Sequence, residues 1–140
     1  MQKSSSSNKG FSLVELIIVI SIMAVLIGIL APQFISYIHK SRVASDWANL
    51  KAYYSEIETD YVDNNGTPNP DVPTVDHSPG SDDKYRRREI KFLDGRTVKL
   101  KAGFYAVIFE NGGYQISYYC DKCKSDWDKH KKTCELTLGL

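Results

Sequence analysis

The sequence predicts an α+β fold in which one long N-terminal helix packs on a roughly four-stranded antiparallel meander. Three observations support this prediction: a long apolar run without charges, a stripe of apolar residues at helical spacing after it, and a two-residue periodicity with two turn signals further along. The first half of the helix is therefore hydrophobic all round and the second half is amphipathic.

The apolar run is long enough to cross a membrane. No Asp, Glu, Lys or Arg occurs in the 23 residues from Leu16 to Ile38. At about 1.5 Å per residue, a helix over this run spans the roughly 30 Å hydrocarbon core of a bilayer. We therefore predict a transmembrane helix.

Beyond Pro32 the pattern becomes amphipathic. Apolar residues recur at steps of four and three, at Val43, Trp47, Leu50, Tyr54, Ile57 and Tyr61. This spacing places them on one face of a helix, which predicts that they form part of a core.

The rest of the chain is predicted as a loop followed by two hairpins. Residues 63–83 contain four prolines and are polar, which is typical of a loop. The predicted strands are residues 89–93 and 96–101, joined at Asp94-Gly95, and residues 104–109 and 114–119, joined at Asn111-Gly112-Gly113. Their apolar side is expected to receive the helical stripe.

The charge balance excludes some classes of function. The chain has 18 Lys plus Arg and 17 Asp plus Glu, which argues against a nucleic acid as the primary partner. The basic run Arg86-Arg87-Arg88 has Asp82, Asp83 and Glu89 around it and is interpreted as a solvated strand entry. No residue pattern for hydrolysis, phosphate binding or cofactor chemistry is present, so we predict that the protein is not an enzyme.

A short motif precedes the apolar run: Lys9-Gly10-Phe11-Ser12-Leu13-Val14-Glu15-Leu16, with Pro32 further on. It resembles the class III signal that prepilin peptidase recognises in type IV pilins and pseudopilins, over about the first fifth of the chain. The resemblance implies a pilin-like fold, cleavage after Gly10 on the cytoplasmic side and N-methylation of the new Phe11.

The predicted organisation follows from this motif and the patterns above. Residues 1–10 are a cytoplasmic leader that is removed, and residues 11–38 are the transmembrane and polymerisation helix. Residues 39–62 are the amphipathic helix of the head, and residues 63–140 are a loop, an antiparallel sheet and a Cys-rich end. Lys3 and Lys9 hold the leader in the cytoplasm, so the head is exported.

Glu15 is an acidic residue at the start of the apolar run, where an ionised side chain is costly unless it is paired. Cleavage creates a free amine on Phe11. The resemblance implies that Glu15 pairs with this amine on a neighbouring subunit. The alternative is that Glu15 reaches the membrane interface or complements the positive N-terminus of its own helix.

Gly28 and Pro32 predict a weak point in the helix. Pro32 has no N–H for the Gly28 carbonyl, and glycine weakens a helix locally. The pair predicts either a kink or, as the resemblance suggests, an extension of the segment in a filament.

The three cysteines, Cys120, Cys123 and Cys134, lie in the last 21 residues with His130 among them. The pattern C-x2-C-x6-H-x3-C supplies a tetrahedral ligand set for structural Zn²⁺. The resemblance to pilins implies instead a disulfide that closes a C-terminal loop, with Cys123–Cys134 as one pairing. Both remain open at this stage.

Three functions are compatible with these patterns. The first is a pilin that builds a type IV pilus for adhesion, motility or DNA uptake, with like subunits, prepilin peptidase and a membrane assembly platform as partners. It would reside in the cytoplasmic membrane as a precursor and then in an extracellular filament. The second is a pseudopilin of a type II secretion or competence system. The third is a bitopic membrane protein with a metal-stapled head that does not polymerise.

Overall fold

The computed structural model describes residues 10–75, 86–121 and 135–139. In these ranges the elements are α1 (Leu13–Asp63), β1 (Thr74–Val75), β2 (Glu89–Lys91), β3 (Thr97–Lys99), β4 (Gly103–Glu110), β5 (Gly113–Cys120) and β6 (Leu136–Leu138). A long N-terminal helix followed by a sheet confirms the predicted α+β, pilin-like class. The chain divides into two compact units, Met1–Ile38 and His39–Leu140, and we call the second unit the head.

The C-terminal end of α1 is a Schellman motif. Gly66 N donates to the Tyr61 carbonyl at 2.9 Å, and Asn65 N donates to the Val62 carbonyl at 3.2 Å. Asn65 has a φ of 54°, in the left-handed region that asparagine and glycine tolerate best. The helix therefore ends for a local reason that the Asn-Asn-Gly sequence supplies.

One face of α1 packs into the core of the head. Its buried residues are Val43, Asp46, Leu50, Tyr53 and Ile57. Three of the six residues of the predicted stripe are among them, and the other three, Trp47, Tyr54 and Tyr61, are partly buried against the same core. The buried face is therefore centred on Leu50 and Tyr53. The Tyr53 ring meets the rings of Phe92 and Tyr105 edge-on, at centroid distances of 5.7 and 6.2 Å.

The strands form two sheets. The larger sheet has the order β1-β4-β5-β6, with β1 parallel to β4 and the other neighbours antiparallel. The smaller sheet is the hairpin β2–β3. Both predicted hairpins are present, and Asn111 and Gly112 adopt the positive φ values, 53° and 79°, of a two-residue hairpin turn.

The strands that make up the four-stranded sheet differ from the predicted meander. The hairpin β2–β3 forms a sheet of its own, linked to β4 by an antiparallel bridge between Arg87 and Tyr105, while β1 and β6 are added at the two edges of β4–β5. Between β3 and β4, the N–H groups of Lys101 and Ala102 donate to the carboxylate of Asp46. These two groups are therefore not available to continue a ladder from one hairpin to the next.

The predicted loop is also interrupted. Thr74 and Val75 lie opposite Val107 and Ile108 and run parallel to β4. Pro73 stands directly before this short strand, a position that proline tolerates because the strand lies at the edge of the sheet.

Candidate processing and assembly site

The Gly10–Phe11 junction is accessible and precedes the first helical residue. Gly10, Phe11 and Ser12 have no regular secondary structure, and α1 begins at Leu13. The Phe11 side chain is 94% exposed, and nothing lies within 4 Å of the position that a Cβ on Gly10 would take. A peptide bond in this state meets the first requirement of a protease, which is access to the backbone.

Ser12 and Glu15 form a reciprocal capping box at the start of α1. Ser12 N donates to Glu15 Oε2 at 2.9 Å, and Glu15 N donates to Ser12 Oγ at 3.4 Å. Two N–H groups that lack partners inside the helix are thereby satisfied. Within a single chain Glu15 therefore complements its own helix N-terminus, which was the alternative interpretation. Its pairing with another subunit stays a prediction.

Ser12 was not among the predicted site residues, although the spacing Ser-x-x-Glu before an apolar run is the sequence signature of a capping box. The serine orients the glutamate side chain toward the backbone of its own first turn. It therefore belongs to the site by position, next to the junction and hydrogen-bonded to Glu15.

The first half of α1 presents an apolar surface on all sides. Every large apolar side chain from Leu13 to Ile38 is at least 37% exposed. In the part of the chain that the structure describes, α1 meets the length and composition of a membrane-crossing helix. The hydrophobic effect opposes leaving such a surface in water, so lipid or other protein must cover it.

Gly28 and Pro32 lie inside α1, which is helical through both. The space around Gly28 is open, with nothing within 4 Å of the position that a Cβ would take there. The segment is thus not extended in this single chain, and the kink and the extension in a filament both stay predictions.

A buried carboxylate in the head was missing from the predictions. Asp46 is fully buried and accepts three hydrogen bonds: from Lys101 N at 2.7 Å, from Ala102 N at 2.8 Å and from Tyr118 Oη at 2.9 Å. Burial first, and then the hydrogen bond to Asp46, raises the pKa of Tyr118. Asp46 therefore joins α1 to the β3–β4 connection and to β5.

Gly103 makes room for this arrangement. A Cβ at position 103 would collide with the carbonyl oxygen of Tyr119 and come within 2.7 Å of the Tyr118 ring. The absence of a side chain at Gly103 thus lets the Tyr118 ring pass close to β4 on its way to Asp46.

Of the four residues in the Cys/His cluster, the structure describes one, Cys120. Cys120 ends β5 and is buried, while Cys123, His130 and Cys134 lie outside the described residues. Within residues 10–75, 86–121 and 135–139, no group of three or more His, Cys, Asp and Glu side chains is placed to hold a metal ion. Zinc and the disulfide both stay predictions.

Two comparisons with known proteins found a match. The family described as "Prokaryotic N-terminal methylation motif" matches residues 5–31. The type IV major pilin protein PilA of Myxococcus xanthus (strain DK1622) is 42% identical over 48 residues, which are 34% of this chain and 22% of that protein. The chain thus aligns with about a fifth of that relative's length. No solved structure matches. The resemblance to type IV pilins is confirmed by these findings.

Proposed function

We propose that this chain is a structural subunit of a type IV pilus, cleaved between Gly10 and Phe11, N-methylated at Phe11 and polymerised through its N-terminal helix. The observation that carries the proposal is the methylation motif over residues 5–31, followed by a helix whose apolar side chains are exposed on all sides. Such a surface has two possible coverings, lipid before assembly and other copies of the same helix after it. The role is structural rather than catalytic.

The physical route runs from membrane to filament. As a precursor the chain resides in the cytoplasmic membrane, with the leader in the cytoplasm. Prepilin peptidase removes the leader, and an assembly platform in the membrane adds the subunit to a filament on the cell surface. Exposed side chains from Leu13 to Ile38 pass from a lipid environment to an equally apolar protein environment, so their transfer costs little.

Glu15 and Phe11 are the residues that make assembly depend on cleavage. Glu15 Oε2 accepts the Ser12 N–H, and among the described residues no donor bonds Oε1. The second oxygen is therefore available to the ammonium group that cleavage creates on Phe11 of a neighbouring copy. An ion pair in an apolar surrounding is strongly attractive once both charges are present. Before cleavage the ammonium does not exist, so polymerisation waits for the cut.

Cleavage is tested by the mass and N-terminal sequence of the membrane-bound and filamentous protein. We expect Phe11 as the N-terminus, with one added methyl group. A Gly10→Val variant is expected to retain the leader, whereas Gly28→Ala, at an open position of α1, is the matched control and is expected to be cleaved. Filaments that carry an intact Met1 would contradict the proposal. An intact leader on wild-type protein in the membrane would favour the bitopic alternative.

The pseudopilin alternative shares the same N-terminal segment. The relative named as a type IV major pilin favours the pilus. Filaments labelled on the head separate the two functions: long fibres outside the cell support a pilus, and confinement to the envelope supports a pseudopilus. Adhesion, motility and DNA uptake are then compared between a deletion strain and the same strain with the gene restored.

A cross-link in the C-terminal segment, either a structural zinc site or a disulfide, is also part of the proposal. Cys120, Cys123, His130 and Cys134 would hold structural Zn²⁺ in a tetrahedral set, or two of the cysteines, Cys123 and Cys134 for example, would form a disulfide. Cys120 is buried at the end of β5, where a zinc site or a disulfide would hold the following segment to the sheet. Metal analysis of purified protein and thiol counting in denaturant separate the two, and three thiols without zinc would exclude both.

A further inference from the structure

The hairpin β2–β3 has a basic outer face. Lys91 lies opposite Thr97 in the register, and because side chains alternate along a strand, the odd-numbered residues share one face. Ile90 and Leu100, on the other face, are buried. The outer side chains are all exposed: Arg87, Glu89, Lys91, Thr97, Lys99 and Lys101. We call these six residues the basic face, which holds four cations and one carboxylate.

The four cations of the basic face form no ion pair with the residues that the structure describes. Two neighbouring arginines differ in this respect. Arg88 makes hydrogen bonds of 2.8 and 2.6 Å to Asp121, and Arg96 pairs with Asp94 across the turn. The charge of those two arginines is compensated locally, whereas the charge of the basic face is left to attract an anionic surface.

The C-terminal part of α1 and the segment after it are acidic. Residues 52–75 contain five acidic residues and no Lys, Arg or His. The Tyr61 ring lies 5.5 Å from the Phe109 ring, which brings the β4–β5 turn against the end of α1. Glu56, one of the five, accepts the Leu93 N–H of the β2–β3 hairpin at 3.1 Å and is left out. We call the other four, together with Glu110 beside the β4–β5 turn, the acidic end: Glu58, Asp60, Asp63, Asp71 and Glu110. The partial negative charge of the helix C-terminus adds to theirs, since the last turn of α1 has no basic residue.

The acidic end also offers a place for a lysine side chain. A shallow groove on α1 is lined by Tyr54, Glu58, Val62 and Asp63, among others. Val62 is 70% exposed, so the groove has an apolar wall between carboxylates. A lysine can lay its aliphatic stem on such a wall while its ammonium group reaches the carboxylate.

We propose that the basic face of one copy binds the acidic end of the next copy in the filament. This inference rests on the proposed function, because the N-terminal helices bring the heads of many copies together. At the resulting high local concentration, exposed ion pairs that are individually weak suffice to set how the heads meet. The two surfaces carry opposite charge on the same chain, so every copy supplies both halves of the contact.

The geometry of such a contact suits a filament. It joins two different surfaces of identical chains, which makes it heterologous, and a heterologous contact repeats without closing unless its rotation forms a ring. A nucleic acid is a poorer occupant of the basic face, because the acidic end of the same head repels a polyanion and because the cleaved chain, without Lys3 and Lys9, has 16 Lys plus Arg against 17 Asp plus Glu.

Charge reversal in the full chain tests the proposal. Lys91→Glu with Lys99→Glu places carboxylates opposite the acidic end, and we expect the yield of sheared filaments to fall about tenfold or more. Asp63→Lys with Glu110→Lys is expected to do the same. The four substitutions together restore opposite charges and should recover most of the yield. Lys51→Glu, an exposed change on α1 outside both surfaces, is the matched control and should assemble normally.

Cross-linking identifies the occupant directly. A zero-length carbodiimide joins lysines to carboxylates that are in contact, and mixed isotope-labelled and unlabelled cells distinguish links between copies from links within one copy. Links between copies from Lys91 or Lys99 to Asp63 or Glu110 support the proposal. Links within one copy, to Asp82 for example, would overturn it.

Three further outcomes are decisive. Normal filaments from both charge-reversal variants would overturn the inference and leave the proposed function intact. Normal filaments together with lost binding to duplex DNA, or to anionic phosphatidylglycerol vesicles, would assign the basic face to that ligand instead. Cleaved wild-type protein that never forms filaments would overturn the proposed function. In that case, cross-links between copies in the membrane would support the contact between the basic face and the acidic end, and their absence would overturn it.

Discussion

The N-terminal segment, residues 10–38, and the head differ in the exposure of their apolar side chains. Each large apolar side chain of the segment from Leu13 onward is exposed, whereas the head buries Leu50, Tyr53 and Ile57 completely. The segment therefore depends on lipid or other protein for its environment, while the head forms a core of its own. The carboxylates of the two regions differ in the same way. Glu15 is exposed and bound to its own helix start, and Asp46 is buried and bound to distant backbone.

This difference indicates which substitutions act on assembly and which act on folding. A change at Glu15 alters a group whose proposed partner is on another chain. A change at Asp46 leaves donors of the same chain without an acceptor. Four predictions separate these two kinds of effect, beginning with the largest.

Glu15→Gln is expected to abolish filaments while leaving the helix start intact. Glutamine also occupies the third helical position of a capping box, so the hydrogen bond with Ser12 is retained and the charge is lost. Ser12→Ala is the complementary control: it keeps the charge, removes the Ser12 hydroxyl from the cap at a cost of about 1 kcal/mol, and should still assemble. Filament yield and leader cleavage are measured for both. Normal assembly of Glu15→Gln would exclude the ion pair with Phe11.

Asp46→Ala is expected to destabilise the head by about 3 kcal/mol or more. The substitution leaves the N–H groups of Lys101 and Ala102 and the hydroxyl of Tyr118 without their acceptor, and each unsatisfied buried donor costs about 1–3 kcal/mol. Chemical unfolding of the full chain in detergent, followed by near-ultraviolet circular dichroism, measures the change. Asp94→Asn, at the exposed β2–β3 turn, is the control with an expected effect within about 0.5 kcal/mol. Equal effects at the two sites would contradict the anchoring role of Asp46.

The stability of the head is expected to depend on the hydroxyl of one buried tyrosine and not on that of another. Tyr118→Phe removes a hydrogen bond to a carboxylate and should destabilise the head by about 1.5–3 kcal/mol. Tyr53 Oη is buried and accepts or donates no hydrogen bond within the described residues, so Tyr53→Phe should be neutral or slightly stabilising. Unfolding midpoints of the two variants under identical conditions test this contrast, which a comparable loss of stability in both would refute.

Alkaline pH is expected to weaken the head through the same tyrosines. Burial raises the pKa of Tyr53 to about 12, and it also raises the pKa of Tyr118. An unfolded tyrosine ionises near pH 10. Because the folded pKa is the higher one, the stabilisation is complete below about pH 10 and is lost as the pH rises toward the folded value. Unfolding midpoints between pH 8 and 11 should fall less steeply for Tyr53→Phe than for wild type, and parallel curves would contradict the assignment.

The part of the fold that could be predicted from sequence depends on neighbours along the chain. The charge-free run, the Ser-x-x-Glu spacing and the Asn-Gly turn of β4–β5 each involve a few consecutive residues. Their physical effects are local: hydrocarbon length, capping hydrogen bonds and the positive φ of Asn111 and Gly112. For the same reason the resemblance to an N-terminal methylation motif could be recognised from its residues alone.

The tertiary structure decided everything that depends on residues far apart in the chain. Asp46 looks like a surface residue on a helix, and only the approach of Lys101 N, Ala102 N and Tyr118 Oη, 55 to 72 positions away, makes its burial favourable. The order β1-β4-β5-β6 likewise brings together strands that are far apart in the chain. Sequence patterns report propensities of short segments, whereas the pairing of distant donors and acceptors is settled by packing.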